Sequence, residues 1–230
     1  MKIDVLTLFP EMFNSLNNSI IKRAIDKNII EINIHNFRDY SKDPHKKVDD
    51  YGFGGGAGMV LMPQPIFDAV LDLKTEDRFI ILMTPRGKVY NQKLAYDLSL
   101  KKHLIIICGH YEGFDERIRT LANLEVSIGD YILTGGEIPC MVLIDSITRL
   151  IDNVITKESH LNDSFNNNLL DYPVYTKPVN FRGMEVPEVL LSGHHANIAK
   201  YRYEEQLRIT KENRPDLLEK EWYNGKVFYN

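Results

Sequence analysis

Residues 104–118, LIIICGHYEGFDERI, and residues 126–137, VSIGDYILTGGE, share the pattern that decides the fold. Each passes from an apolar, β-branched run typical of a buried strand into a loop that carries glycines. Similar apolar runs occur at residues 3–9, 30–34 and 79–83. Helical patterns lie between the runs and start near Pro10, Pro63 and Asn91. Strands that alternate with helices predict an α/β fold with a mostly parallel sheet covered on both faces.

Ligands of such folds bind at the carboxyl ends of the strands, so the loops after the strands are candidate site loops. Three of these loops carry glycine: TPRG at 84–87, GHYEG at 109–113 and GDYILTGG at 129–136. Each alone could be an ordinary turn, because Pro and Gly are common in turns. Loops that end neighbouring strands can converge at one edge of the sheet. Together they predict an edge that offers backbone donors and acceptors to a nucleoside.

A fourth glycine-rich stretch, GFGGGAG at 52–58, has two interpretations. Gly52, Gly54 and Ala57 satisfy the G-x-G-x-x-A pattern of dinucleotide sites, and Asp72 lies at a suitable distance. Such a fingerprint must follow a buried strand, yet this stretch follows KDPHKKVDDY, which is charged and turn-like. A turn that permits close backbone approach is therefore favoured, with either a purely structural or a substrate-contacting role.

Composition limits the classes of protein to consider. The 230 residues are 43% hydrophobic and 26% charged, and no apolar run is long enough to span a membrane. The N-terminal apolar segment is too short for a signal peptide, so we expect a cytoplasmic protein. Cys108 and Cys140 lie inside apolar segments, which suits buried thiols. The net charge of −4 means that any contact with nucleic acid needs a local basic surface.

The chain changes character after its most apolar segment. Residues 138–154 are apolar nearly all round, which predicts a long helix buried in the core or at a subunit interface. Residues 156–171, TKESHLNDSFNNNLLD, are typical of a flexible linker. Residues 172–215 hold seven Lys or Arg against five Asp or Glu, with a helical pattern at 194–211. We therefore expect a main domain at 1–155, a linker at 156–171 and a small C-terminal domain at 172–230 that offers a basic platform.

Seven separated blocks resemble those of the bacterial tRNA (guanine-N1)-methyltransferases. They are LFPEMF, GFGGGAGM, CGHYEGFDERI, SIGDYILTGGE, LIDSITRLI, the stretch from NDSF to LLDYPVYTKP, and GMEVPEVLLSGHHANI. They occur in the family's order and span nearly the whole chain. The resemblance implies the SPOUT fold, in which a deep trefoil knot holds S-adenosylmethionine in a bent shape. It also implies methyl transfer to N1 of the guanosine at position 37 of tRNA, 3′-adjacent to the anticodon.

The resemblance also implies which residues bind S-adenosylmethionine. All lie in or beside the loops already singled out, namely Leu82, Thr84, Pro85, Gly109, Tyr111, Glu112, Gly113, Ile128, Gly129, Asp130, Tyr131, Ile132, Leu133, Gly135 and Gly136. Ala57 stands where the family usually has Pro, and the C-terminal region is short for the family.

Three residues carry catalytic roles by the same resemblance. Asp163 would be the general base, Arg149 would face the guanine, and Glu112 would orient the methyl donor or a magnesium ion. Without the resemblance, Asp163 reads as a helix cap or linker turn, and Arg149 as half of an ion pair with Asp145. Glu112 reads as a surface carboxylate.

The family works as a homodimer in which the base of one subunit reaches the methyl donor held by the other. A C-terminal tRNA-binding domain would hold the anticodon region of the substrate. The alternatives are a related SPOUT enzyme that methylates a ribose 2′-hydroxyl or another base, and an RNA-binding module without catalysis. A dinucleotide oxidoreductase would require a strand before Gly52.

Overall fold

The structure is a computed structural model that describes residues 1–73, 75, 77–155, 163–165 and 167–219. The chain divides into two compact units, Met1–Ile155 and Thr156–Asn230. The first unit contains a parallel sheet and the second contains short extended segments and one long helix. No helix among the described residues has the length and apolar character needed to cross a membrane.

A five-stranded parallel sheet forms the centre of the first unit, in the order β2-β1-β6-β5-β7. Two further strands pair as an antiparallel hairpin, β3 with β4. In chain order the strands are β1 (Lys2–Thr7), β2 (Glu31–Asn36), β3 (Asp49–Tyr51), β4 (Met59–Leu61), β5 (Arg78–Val89), β6 (His103–Ile107) and β7 (Leu124–Ser127). The predicted α/β class with a mostly parallel sheet is confirmed. The trefoil knot expected from the resemblance stays a prediction.

Helices cover both faces of this sheet because its strands are apolar on both sides. One core cluster joins residues of the sheet to α1 (Ser19–Asp26), α3 (Gln92–Ser99), α4 (Glu137–Thr148) and the 3₁₀ helix Pro10–Asn17. The other joins the opposite sheet face to α2 (Pro63–Asp72) and to the 3₁₀ helices Phe37–Tyr40 and Glu116–Leu121. Burial is complete along β6, which lies at the middle of the sheet. The carboxyl edge of the sheet, which carries the glycine loops, is therefore supported by helices on both faces of the sheet.

Two elements differ from the sequence-based expectation. Strand β5 does not end at Met83 but continues to Val89, and its pairing with β7 shifts register between Met83 and Lys88. The predicted loop at 84–87 is thus an excursion within a strand. Helix α4 ends at Thr148 rather than at Val154, because the chain tightens there into turns with a left-handed Asn153 at φ +68°.

The second unit consists of short elements and one long helix. It contains a hairpin of β8 (Asn180–Phe181) and β9 (Met184–Glu185), a short helix α5 (Glu188–Leu191) and the long helix α6 (His195–Asn213). The Thr210 hydroxyl of α6 is buried and accepts a hydrogen bond of 2.8 Å from the Leu170 amide. Residues 156–162 and 166 of the predicted linker, and residues 220–230, lie outside the described residues.

A buried carboxylate connects the three strands at the β2 side of the sheet. Asp4 on β1 is fully buried and accepts hydrogen bonds from His35 at 2.8 Å and Asn33 at 3.1 Å, both on β2. It also contacts His103 at the start of β6 and pairs with Lys2 at 3.1 Å. Burial raises the pKa of Asp4, but these donors outweigh it and hold the pKa well below the ordinary value.

We expect Asp4→Asn to lower the free energy of unfolding by about 1–3 kcal/mol, because buried donors lose a charged acceptor. A depressed folded-state pKa contributes stability that is present above about pH 4 and is lost as the pH falls below it. Urea denaturation between pH 2 and pH 7 should therefore show a smaller acid loss for the variant. The exposed Asp26→Asn is the matched control and should change stability by less than about 0.5 kcal/mol. Equal acid sensitivity of Asp4→Asn and wild type would contradict this assignment.

Candidate functional site

The loops after β6 and β7 meet directly at the carboxyl edge of the sheet. The Gly136 amide donates a hydrogen bond of 2.8 Å to the Gly109 carbonyl. His110 and Gly135 form an antiparallel bridge one residue further along. The loops at 109–113 and 129–136 therefore form one continuous main-chain surface, as the sequence pattern indicated.

This contact requires glycine. A Cβ atom on Gly136 would lie 2.7 Å from the Gly109 nitrogen and 2.9 Å from the Cys108 Cα. A Cβ atom on Gly109 would lie 2.7 Å from the Phe114 ring. The first clash is with backbone, which cannot turn aside as a flexible side chain can. Gly136 is needed because two main chains pass each other at contact distance, and Gly109 is needed because the Phe114 ring packs against it.

The excursion at 84–87 brings a third loop to the same edge. A Cβ atom on Gly87 would lie 2.4 Å from the Val126 nitrogen, so Gly87 packs on the backbone of β7. Arg86 pairs at 2.9 Å with Glu116, the first residue of the 3₁₀ helix Glu116–Leu121. Leu82 is buried in the core, whereas Pro85 is exposed. Only the backbone of Leu82 is available to a ligand.

The end of β1 completes the edge, and the sequence interpretation did not include it. The Thr7 hydroxyl donates a hydrogen bond of 2.8 Å to Glu137, which is buried at the first position of α4. The Phe9 ring packs against His110 with ring centroids 4.8 Å apart. A carboxylate in the first turn of a helix is stabilised by the helix dipole. The sequence signal was the acidic Glu137 directly after two glycines and ahead of an apolar helix.

The surface of this edge combines glycine backbone with exposed side chains. Tyr111 has a left-handed φ of +58°, which is uncommon for an aromatic residue and tends to mark functional sites. Tyr111 is 46% exposed, and its ring contacts the His110 ring edge-on. The other exposed candidates are Glu112, Asp130, Tyr131, Ile132 and Leu133. The buried Gly109 and Gly136 lie beneath them.

The glycine-rich stretch at 52–58 is the loop of the β3–β4 hairpin and lies beside the β6 loop. The Glu112 amide donates to the Met59 carbonyl at 3.0 Å, and the Leu61 amide donates to the Gly113 carbonyl at 2.9 Å. Gly58 packs against the Glu112 side chain. A dinucleotide fingerprint joins a buried strand to a helix, whereas this loop joins two short antiparallel strands. The structure therefore excludes the dinucleotide interpretation.

The predicted catalytic pair lies in two different units. Arg149 is the half-buried cap residue at the end of α4, and its amide donates to the Asp145 carbonyl at 3.2 Å. Asp163 belongs to the second unit, where Ser164 and Phe165 form a turn, and Ser164 accepts a hydrogen bond from the Asp171 amide. The segment 163–165 begins no helix, so Asp163 is not a helix cap.

The two cysteines lie beneath the site as free thiols. Cys108 and Cys140 are both buried, next to Gly109 and in the first turn of α4 respectively. Burial, together with the neighbouring Cys140 thiol, raises the pKa of Cys108 well above its ordinary value. A buried thiol with a raised pKa is a poor nucleophile, so Cys108 packs the site rather than reacts in it. Within the described ranges no cluster of three or more His, Cys, Asp or Glu could hold a metal ion.

Comparison with known proteins gives a consistent result. The family model described as tRNA (Guanine-1)-methyltransferase TrmD matches residues 1–220. The chain is 59% identical to the tRNA (guanine-N(1)-)-methyltransferase of Malacoplasma penetrans, over 94% of this chain and 96% of that protein. It is 56% identical to the protein of that name from Ureaplasma urealyticum serovar 10, over 98% of this chain and 100% of that protein. The corresponding Clostridium novyi protein is 57% identical over 94% of this chain and 91% of its own length.

We expect Gly136→Ala to separate the two site loops, because the added Cβ meets the backbone at Cys108 and Gly109. Overpacking of this kind costs about 1–3 kcal/mol of folding stability, and the loops should lose most of their affinity for a nucleoside ligand. Gly52→Ala is the matched control, since its Cβ would meet only a Val60 methyl at 3.5 Å. Thermal unfolding, with and without S-adenosylmethionine, measures both effects. A Gly136→Ala protein with wild-type stability and ligand-induced shift would contradict the close-contact argument.

Proposed function

This chain belongs to the tRNA (guanine-1)-methyltransferase family, and we propose that it transfers the methyl group of S-adenosylmethionine to N1 of a guanosine in tRNA. The match to the family model over residues 1–220 carries this proposal. We further propose that the guanosine is position 37, beside the anticodon, and that the enzyme works in the cytoplasm.

The reaction requires a base because N1 of guanine carries a proton and is a poor nucleophile. S-adenosylmethionine supplies an electrophilic methyl group. Asp163 would accept the N1 proton as N1 attacks, and Arg149 would offset the negative charge that develops on O6. Both side chains already take part in polar or electrostatic interactions in this structure. Binding of tRNA would therefore rearrange them.

The converging loops are the proposed cradle for S-adenosylmethionine. Residues 109–113 and 128–136 offer backbone groups at the same sheet edge, and residues 84–87 border them. Adenosine has a flat base that suits the apolar side chains of Ile132 and Leu133, which are 79% and 38% exposed. The glycine contact at Gly109 and Gly136 keeps the main chains close enough to enclose a small ligand.

An exposed apolar surface supports a homodimer. Helix α4 buries one face, but Ile138 and Val142 on its other side remain 47% and 42% exposed. Tyr131 and Ile132, in the loop before the helix, are also exposed. Apolar side chains that continue from a ligand loop onto a helix are typical of a subunit interface. We propose that a second copy covers this surface and that its Asp163 serves the first copy's cradle.

The resemblance to the family also implies a magnesium ion, for which we propose Glu112 as a carboxylate partner. The ion keeps most of its water and takes one or two carboxylates together with substrate oxygens. Glu112 fits such a role, because it is an exposed carboxylate in the loop after β6. Here Glu112 would hold or orient the ion.

The second unit is the proposed tRNA-binding domain. Its described residues present cations together with aromatic rings, as when Arg202 lies 4.8 Å from the Tyr172 ring and Arg182 lies 5.2 Å from the Phe181 ring. Phe181 and Tyr203 are more than half exposed. Arginine and aromatic side chains bind phosphates and unstacked bases respectively. We propose that residues 172–230 form this domain and that residues 156–171 link it to the first.

Purified protein incubated with unmodified tRNA and S-adenosylmethionine should produce 1-methylguanosine, because N1 is the proposed acceptor. Nucleoside mass spectrometry distinguishes this product from a 2′-O-methylated nucleoside of the same mass by its fragmentation. A tRNA with adenosine at position 37 is the control and should remain unmethylated. Binding of tRNA without transfer would instead support the RNA-binding module.

Asp163→Asn should lower the rate of methyl transfer by about 10²- to 10⁴-fold, because the amide cannot accept the N1 proton. Affinity for S-adenosylmethionine, measured by calorimetry, should stay near the wild-type value. The exposed Asp97→Asn on α3 is the matched control and should retain full activity. Loss of S-adenosylmethionine affinity in Asp163→Asn would assign Asp163 a structural role.

A further inference from the structure

The loop at the tip of the β3–β4 hairpin presents a single large side chain. Six of the seven residues at 52–58 are Gly or Ala, and the seventh is Phe53. The Phe53 side chain is fully exposed, with a relative accessibility of 103%. A phenyl ring in water contributes nothing to folding, so the protein gains no stability from it at this position. The reason for an exposed ring at this position must therefore lie outside the folding of the chain.

The glycines around Phe53 leave the loop open. Gly54, Gly55 and Gly56 have φ values of +90°, +80° and +119°, which side-chain-bearing residues rarely adopt. A Cβ atom on any of these three would meet nothing within 4 Å. Packing within the chain therefore does not require glycine there. The loop instead offers bare backbone and one ring to whatever approaches it.

This loop is attached to the candidate methyl-transfer site at its base. Met59, which pairs with Tyr51 to close the hairpin, accepts the hydrogen bond from the Glu112 amide. Gly58 contacts the Glu112 side chain. The anchored base keeps the loop beside the β6 loop, while the contacts to Glu112 involve residues other than Phe53. A substitution of Phe53 therefore leaves these contacts in place.

The chemistry of the proposed substrate identifies what the ring would meet. The N1 atom lies on the Watson–Crick edge, so a guanosine methylated there is unpaired, and its neighbours in a loop are unpaired as well. Proteins hold such splayed bases by stacking them on aromatic side chains. One exposed ring covers about the area of one base. The exposed ring is far smaller than the roughly 800 Å² per partner that a stable protein interface buries, so one base is the better match for it.

We propose that Phe53 is a substrate-binding residue that stacks on an unpaired nucleobase next to the target guanosine. This inference rests on the proposed function and adds a contact for the neighbouring nucleotide. The ring would hold the strand in register while the target base enters the site. Stacking depends on an aromatic face, so Tyr replaces Phe53 adequately whereas Leu does not.

Steady-state methylation of tRNA by wild type, Phe53→Leu and Phe53→Tyr tests the proposal. Phe53→Leu should raise KM for tRNA between about fivefold and about a hundredfold, as expected for loss of one base stack. Its KM for S-adenosylmethionine should stay unchanged, and Phe53→Tyr should restore most of the tRNA affinity. Leu100→Ala is the matched control and should have the wild-type KM for tRNA. Leu100 is apolar and 66% exposed, and it lies shortly before the start of β6, at the end of the strand away from the site loops.

A spectroscopic measurement locates the stacked base. Two tRNAs that carry 2-aminopurine immediately 5′ or 3′ of the target guanosine are titrated with each protein. Stacking on Phe53 should quench one of the two probes with wild type and Phe53→Tyr, and this quenching should be lost with Phe53→Leu.

Three results would overturn the inference. An unchanged tRNA KM in Phe53→Leu would show that the ring does not bind RNA. A shift in oligomeric state by sedimentation velocity, together with the loss of tRNA affinity, would assign Phe53 to contact with a second copy. If wild type itself forms no 1-methylguanosine, the proposed function fails and this inference falls with it. The first two results leave the proposed function standing.

Discussion

Main-chain contact between Gly109 and Gly136 allows two loops from different strands to share one edge of the sheet. The contact is short because neither residue has a side chain, and the rest of the site is arranged around it. The His110–Gly135 bridge continues the contact, and Glu137 extends it to the end of β1 through Thr7. Helix α4 begins at the same point, so the apolar helix is positioned by the same constraint. A site built in this way depends on backbone geometry more than on any one side chain.

The sheet supports this edge because its strands are in register and buried. Leu6 of β1, Ile107 of β6 and Leu82 of β5 lie at one level of the sheet. Their loops therefore start from the same height and project in the same direction. The opposite half of the sheet carries the Asp4 cluster, in which hydrogen bonds to a buried carboxylate replace apolar packing between β1, β2 and β6. The candidate site loops and the buried Asp4 cluster thus occupy separate parts of the same sheet.

Much of this arrangement could be predicted from the sequence, because β-branched runs and glycine loops have local signatures. The parallel sheet, the helices and the loops at 109–113 and 129–136 all follow from such patterns. The continuation of β5 through Pro85 could not be predicted, because Thr84–Gly87 has the composition of a turn and is held by β7, a strand distant in sequence. The hairpin around Gly52 was missed because its strands have three residues each. The local pattern around Glu137 marks the carboxylate but not its partner Thr7, because the two residues are distant in sequence. Arg149 and Asp163 lie in separate units. In the proposed dimer, Asp163 of one copy would reach the site of the other.

The Thr7–Glu137 hydrogen bond joins residues that are 130 positions apart in the chain. A ribosome that adds about 5–20 residues per second needs roughly 6–26 s to synthesise the chain between them. During that interval β1 can pair with β2, but its carboxyl end has no α4 to close against. The residues of β1 therefore wait for α4 before the edge is complete. Until then, the carboxyl end of β1 is open to chaperones or to non-native partners.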